Sequence, residues 1–111
     1  MIYLTQKKCV ACEGGTLPLV RHQIAEYELQ VPQWKLSNDA LSISRQFEFK
    51  NFKEAVSFVD AVAAIAEDEG HHPDISLFDF KKVLITLSTH AIGGLSENDF
   101  IVAAKIDAIK K

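Results

Sequence analysis

With 111 residues, 48% of them apolar, the chain can bury one sizeable core but is too short to divide into two self-sufficient domains. A formal charge of −3, from 12 basic against 15 acidic residues, argues against a general binder of nucleic acid or acidic membrane, since neither polyanion is drawn to such a surface. No apolar run approaches the roughly 20 residues that span a bilayer, and Met1 to Gly15 lacks the long apolar stretch of a secretory signal, so the expected location is cytoplasmic.

Residues 1–15 show no clear periodicity and read as a flexible leader; residues 16–111 read as a single domain. Within the leader, Cys9 and Cys12 form one C-x-x-C, open to three readings: half of a zinc knuckle, a redox pair, or two inert thiols. No second C-x-x-C or H-x-x-x-H follows to complete four zinc ligands, and Gly14-Gly15 follows the pair where a redox motif would open a helix. The inert reading is therefore preferred. Thr16 is placed to cap a first helix through about Leu29, with Pro18 tolerated in its opening turn and Leu19, Ile24, Tyr27 and Leu29 giving a ragged apolar side. Val31-Pro32 ends it, because a residue before proline is pushed out of the helical region. Trp34 to Leu36 then reads as extended.

Ser42 to Phe49 alternates cleanly, with Ile43, Phe47 and Phe49 on one face and Ser42, Ser44, Gln46 and Glu48 on the other, which predicts a half-buried antiparallel strand. Arg45 interrupts the apolar parity and is expected near a sheet margin or against a partner. Asn51 can cap a long helix through about Glu69, and Gly70 is its natural stop. Two apolar stripes run along that helix, Phe52, Val56, Val59, Ala63 and Ala66 beside Phe58, Val62 and Ile65. Together they exceed the roughly 100° stripe of a surface helix, so one side should face the sheet and another a second subunit.

Ile75 and Leu77, then Val83, Ile85 and Leu87, give two more alternating runs joined near Asp79, a predicted hairpin. Ala91 to Leu95, with Gly93-Gly94, reads as a loop, and Ser96 caps a last helix marked by Val102, Ile106 and Ile109. The order α-β-β-α-β-β-α predicts an α+β fold, a four-stranded antiparallel sheet with helices packed on one face.

The titratable residues that draw attention are His71 and His72, at a helix-to-strand junction among Glu67, Asp68, Glu69 and Asp74, and His90, which follows a strand on the parity of Thr86 and Ser88. Antiparallel order can bring that strand end to the junction. Imidazoles titrate near neutrality, so such a cluster with carboxylates nearby can move protons in both directions. A bland reading stands beside it: solvated loop histidines, Glu67 paired with His71 across one helical turn, and Asp99 serving only as the reciprocal partner in the Ser96-Glu97-Asn98-Asp99 capping box. With no HExxH and no helical H-x-x-x-H, a metal site is not expected.

Taken in order, Glu67-Asp68-Glu69-Gly70-His71-His72-Pro73-Asp74-Ile75, Ser88-Thr89-His90 and Gly94-Leu95-Ser96-Glu97-Asn98-Asp99 closely resemble the signature of the pterin-4a-carbinolamine dehydratases: E-x-x-x-H-H-P, then T-H, then G-L-[ST]-x-x-D. The likeness extends upstream through Pro32-Gln33-Trp34 and Phe47 to Phe52, covering roughly residues 15 to 109, and the leader looks like those of bacterial members. The resemblance implies a cofactor-free and metal-free dehydratase that converts 4a-hydroxytetrahydropterin to quinonoid dihydropterin, with pterin as substrate. By motif position His71, His72 and His90 would be catalytic, and Glu67, Pro73 and Asp99 would support them or bind substrate. It also implies a homodimer or homotetramer with no nucleic-acid or membrane partner. At Ile75 animal members carry a tryptophan, which leaves affinity and substrate breadth open. The alternative that the family implies is a non-enzymatic relative, a Rubisco assembly factor or a dimerisation partner of transcription factors; retention of all three histidines with Glu67 and Asp99 favours the enzyme.

Overall fold

The computed structural model describes residues 3–10 and 17–109. The elements run α1 (Arg21–Glu28), β1 (Lys35–Leu36), β2 (Ile43–Glu48), α2 (Phe52–Glu69), β3 (Asp74–Phe78), β4 (Lys82–Leu87) and α3 (Glu97–Asp107), with single 3₁₀ turns at Leu4–Gln6 and His90–Ile92. This is the expected α-β-β-α-β-β-α order. The sheet is antiparallel throughout, in the order β1-β2-β4-β3.

Period-two patterning sets the register. Ile43 lies opposite Leu87 and Phe47 opposite Val83, and all four are buried beneath the helices, whereas Gln46 and Glu48 face water. Arg45, opposite Ile85, shares the buried face, as its parity required. It finds a partner there: its guanidinium donates to Asp107 Oδ1 at 2.7 Å and stacks 4.4 Å from the Phe47 ring centroid. The same Asp107 oxygen accepts from Trp34 Nε1 at 2.9 Å, so one carboxylate at the end of α3 ties the loop before β1 to β2. A charge can sit under a sheet when it is both paired and hydrogen-bonded.

Asn51 caps α2 by accepting from the Glu54 N–H at 2.9 Å, and Gly70 ends it in the left-handed conformation at φ 64°, which glycine adopts without a Cβ clash. Ala55, Phe58, Val62, Ala66 and Glu69 form its buried stripe. Phe52, Val56 and Ala63 remain exposed, so the over-wide apolar surface divides into one covered and one uncovered side, with Ala66 on the covered one. The β3–β4 connection turns through Asp79 and Phe80, both left-handed. Among the described residues no helix is long and apolar enough to cross a membrane.

Two boundaries differ from expectation. The first helix begins at Arg21; its expected cap, Thr16, lies outside the described residues, and Leu19 lies before the helix, its N–H donating to the Leu95 carbonyl at 2.8 Å. Gly94 is glycine because a Cβ there would lie 2.7 Å from the Pro18 side chain. The described part of the leader, although aperiodic, is packed: Leu4 is fully buried, and its N–H donates to Gln30 Oε1. A 3₁₀ turn followed by extended chain leaves no helical or strand period to detect, so contact with α3 cannot be read from spacing.

Glu69 anchors that packing. Its side chain is buried, forms an ion pair with Lys105 and accepts from the Cys9 N–H at 2.9 Å. Burial alone would raise its pKa, but Lys105 and the Cys9 N–H more than offset that and hold it below its ordinary 4.5. A depressed folded-state value contributes stability that is complete above the unfolded value and lost as pH falls through the folded one. Urea midpoints of the native chain are expected to fall more steeply than those of Glu69→Gln between about pH 5 and 3, the two converging at the acid end; parallel curves would contradict the assignment.

Candidate active site

Where α2 stops and β4 ends, the chain leaves a cleft of about 390 Å³, a size that suits a small bicyclic ligand. His71 and His72 line it from the segment after Gly70, Ser88, Thr89 and His90 from the end of β4, and Val10 and Asn98 from the leader and the start of α3. The three histidines are thus brought together. Pro73 is not among the lining residues, nor is Ile75, which stands on β3 opposite Ile85.

His71 is held by Asp99. The imidazole Nε2 lies 2.6 Å from Asp99 Oδ1, and the carboxylate is fully buried. Its other oxygen accepts from Thr89 Oγ1 at 2.7 Å and from the Ser96 N–H at 3.0 Å. Thr89 spends its one hydroxyl proton on Asp99, so Ser96 Oγ, 2.8 Å away, donates to Thr89. An ionised carboxylate can only accept, so with Asp99 as carboxylate His71 Nε2 is the donor of their hydrogen bond, which leaves Nδ1 as the nitrogen able to accept a proton. Asp99 therefore does both things that the sequence left as alternatives: it closes the first turn of α3 and it orients a histidine.

His72 Nε2 lies 2.5 Å from Glu67 Oε2, an exposed pair. The sequence spacing pointed Glu67 at His71 across a helical turn. Gly70 ends the helix before His71, however, and the turned chain delivers His72 to Glu67. His90 departs from its expected strand parity for a similar reason: β4 ends at Leu87, and His90 opens the 3₁₀ turn. Thr89 pairs with Gly94 through two backbone hydrogen bonds, pinning that turn beside the cleft.

Thr89 and Ser96 were missed as site residues, although the T-H and capping motifs contained both. Asn98 and Val10 left no such signal. Cys9 is the one thiol of the pair among the described residues; Cys12 and Gly14-Gly15 lie outside them. Burial and the neighbouring Glu69 push the Cys9 thiol up to about 12, so at neutral pH it is a hydrogen-bond donor rather than a nucleophile. Among the described residues no three or more His, Cys, Asp or Glu side chains converge as a metal ion needs.

Comparison with known proteins leads to the same family. Residues 18–109 match the model of the family described as pterin 4 alpha carbinolamine dehydratase. A Halorhodospira halophila protein named for that activity is 50% identical over 106 residues, 96% of each chain. Pterin-4-alpha-carbinolamine dehydratase 2, mitochondrial, of Arabidopsis thaliana is 46% identical over 96% of this chain and 59% of its own. Among solved structures, a transcriptional coactivator/pterin dehydratase from Brucella melitensis superposes with a TM-score of 0.74 at 32% identity, covering 82% of this chain and 96% of that one. A pterin dehydratase-like protein identified as a RuBisCO assembly factor in the alpha-carboxysome gives 0.58 at 30% identity, covering 68% and 87%. With the family match running from the segment before α1 to the last described residues, and relatives at half identity that are covered almost end to end, this chain belongs to the pterin 4 alpha carbinolamine dehydratase family.

Proposed function

We propose that the chain is a hydro-lyase that dehydrates 4a-hydroxytetrahydropterin to quinonoid dihydropterin by histidine acid/base chemistry, in tetrahydropterin recycling. The observation that carries the reading is that His71, His72 and His90 line one cleft, with Asp99 and Glu67 each on an imidazole nitrogen.

The reaction breaks the C4a–O bond and forms an N5=C4a double bond. The leaving hydroxyl needs a proton to depart as water, and N5 must lose one so that its lone pair can form the new bond. One acid and one base suffice, and neither a cofactor nor a metal is required. His71 suits the base: the Asp99 carboxylate stabilises the imidazolium that forms and keeps Nδ1 open to accept. His72, steadied by Glu67, suits the acid, and His90 orients the pterin or its hydroxyl. The expected location is the cytoplasm.

A second reading, a dehydratase-like protein that only binds a partner, draws on the likeness to the RuBisCO assembly factor. It gives no chemical task to His71, whose ring is held by the buried Asp99 carboxylate. Turnover of 4a-hydroxytetrahydropterin separates the two. His71→Ala is expected to lower kcat about 10²- to 10⁴-fold and His90→Ala to lower turnover as well, with chelator leaving the native rate unchanged. Asp99→Asn should cost on the order of 10²-fold or more. Thr89 and the Ser96 N–H would claim its amide oxygen, turning the NH₂ toward His71 Nε2 and forcing the proton onto Nδ1. A native chain without turnover would point to the binding role.

The uncovered side of α2 supports a homo-oligomer, dimer or tetramer, with Phe52 and Val56 in its interface. Light scattering at micromolar concentration should give at least a dimer mass, lowered by Phe52→Asp with Val56→Asp; a strictly monomeric native mass would refute this.

A further inference from the structure

One wall of the cleft has no role in the chemistry above, and it comes from the leader. Of the described side chains lining the cleft, only Val10 and Ala91 are apolar; Val10 is the larger and stands 71% exposed. Its position is nevertheless fixed. The Val10 N–H donates to Asn98 Oδ1 at 3.1 Å, and Asn98 Nδ2 donates to the Val10 carbonyl at 2.5 Å, so one buried amide satisfies both peptide groups, as a neighbouring strand would. The preceding residue is held as well, with the Cys9 N–H on Glu69 and the Cys9 Sγ 3.6 Å from the Asn98 carbonyl. Lys8 reaches Asp68 at 3.1 Å and Lys7 reaches Glu97 at 2.7 Å. These anchors belong to the end of α2 and the start of α3, the two places that present His71 and Asp99.

An exposed valine alone means little. An exposed valine whose backbone is clamped at the rim of a cleft otherwise lined mainly by polar groups is a surface prepared for a ligand. A pterin presents polar edges and broad ring faces; the polar lining suits the edges and the 4a-hydroxyl, and a fixed apolar side chain suits a face.

We propose that Val10 is a substrate-contacting residue that covers one face of the bound pterin ring, and that Asn98 is its positioning residue; this rests on the dehydratase reading. Contact with a ring face is the same before and during dehydration, so its loss acts on KM and spares kcat.

Steady-state kinetics of Val10→Gly, Asn98→Leu and the double variant test the assignment, with calorimetric binding of a 7,8-dihydropterin as a second readout. Each single variant is expected to raise KM about fivefold with kcat nearly unchanged. The double variant should be little worse than either single one, because Asn98 acts through Val10. Asn98→Asp, which keeps the acceptor for the Val10 N–H, should fall between. A purely structural role for Asn98 would lower the unfolding midpoint and kcat and leave KM alone, which would overturn the proposal. Native turnover with unchanged KM in both single variants would also overturn it and leave the dehydratase reading standing. If the native chain binds the dihydropterin without turning over, weakened binding in the variants keeps the wall while the reading fails; no native binding, or binding the variants do not alter, removes the wall too.

Discussion

The Asp99 carboxylate has no exposed surface, and three parts of the chain converge on it. The Ser96 N–H brings the start of α3, the Thr89 hydroxyl brings the end of β4, and His71 brings the segment released by α2. A buried carboxylate without its donors would cost several kcal/mol, so these partners cannot drift apart independently. The strand end, the helix start and the helix stop that surround the cleft are therefore fixed by the group that orients the histidine. One carboxylate both closes a helix turn and holds an imidazole at the cleft, so a capping role and a place in the candidate site are compatible for Asp99.

Much of this was legible because it depends on short-range pattern. Alternation from Ser42 to Phe49 gave β2 and even the anomaly within it, since a parity-breaking arginine has to be paired, and Arg45 is. Asn51 and Gly70 bracket α2 because a cap and a left-handed stop are local chemistry. The histidine cluster was visible through the ordered motif, and antiparallel order does bring His90 to His71 and His72.

What stayed hidden depends on where a turn sends the next residue. Glu67 finds His72 because Gly70 redirects the chain, and helical spacing does not continue past a left-handed residue. His90 lies beyond the last β4 pair, so its parity carries no meaning. The leader is the largest omission. Lys7 to Val10 are held by residues 60 to 90 positions away, and no spacing within the leader encodes such partners.

Helix α3 explains why these distant attachments matter. Its residues Asn98 to Ala104 and Ile106 are buried all round, as suits a helix enclosed by the leader, α1, α2 and the sheet. Carboxylates secure it at both ends, Asp99 at the first turn and Asp107 at the last, the latter taking Arg45 from β2 and Trp34 from the loop before the sheet. A helix pinned at both ends and packed on every side cannot rotate to relieve a misplaced His71. Preorganisation of that kind suits proton transfer, where the acceptor nitrogen has to meet the substrate without first being reoriented. The buried polar groups of α3 thus set the geometry of the cleft, while the half-buried His71 and the exposed His72, His90 and Val10 face the space a ligand would fill.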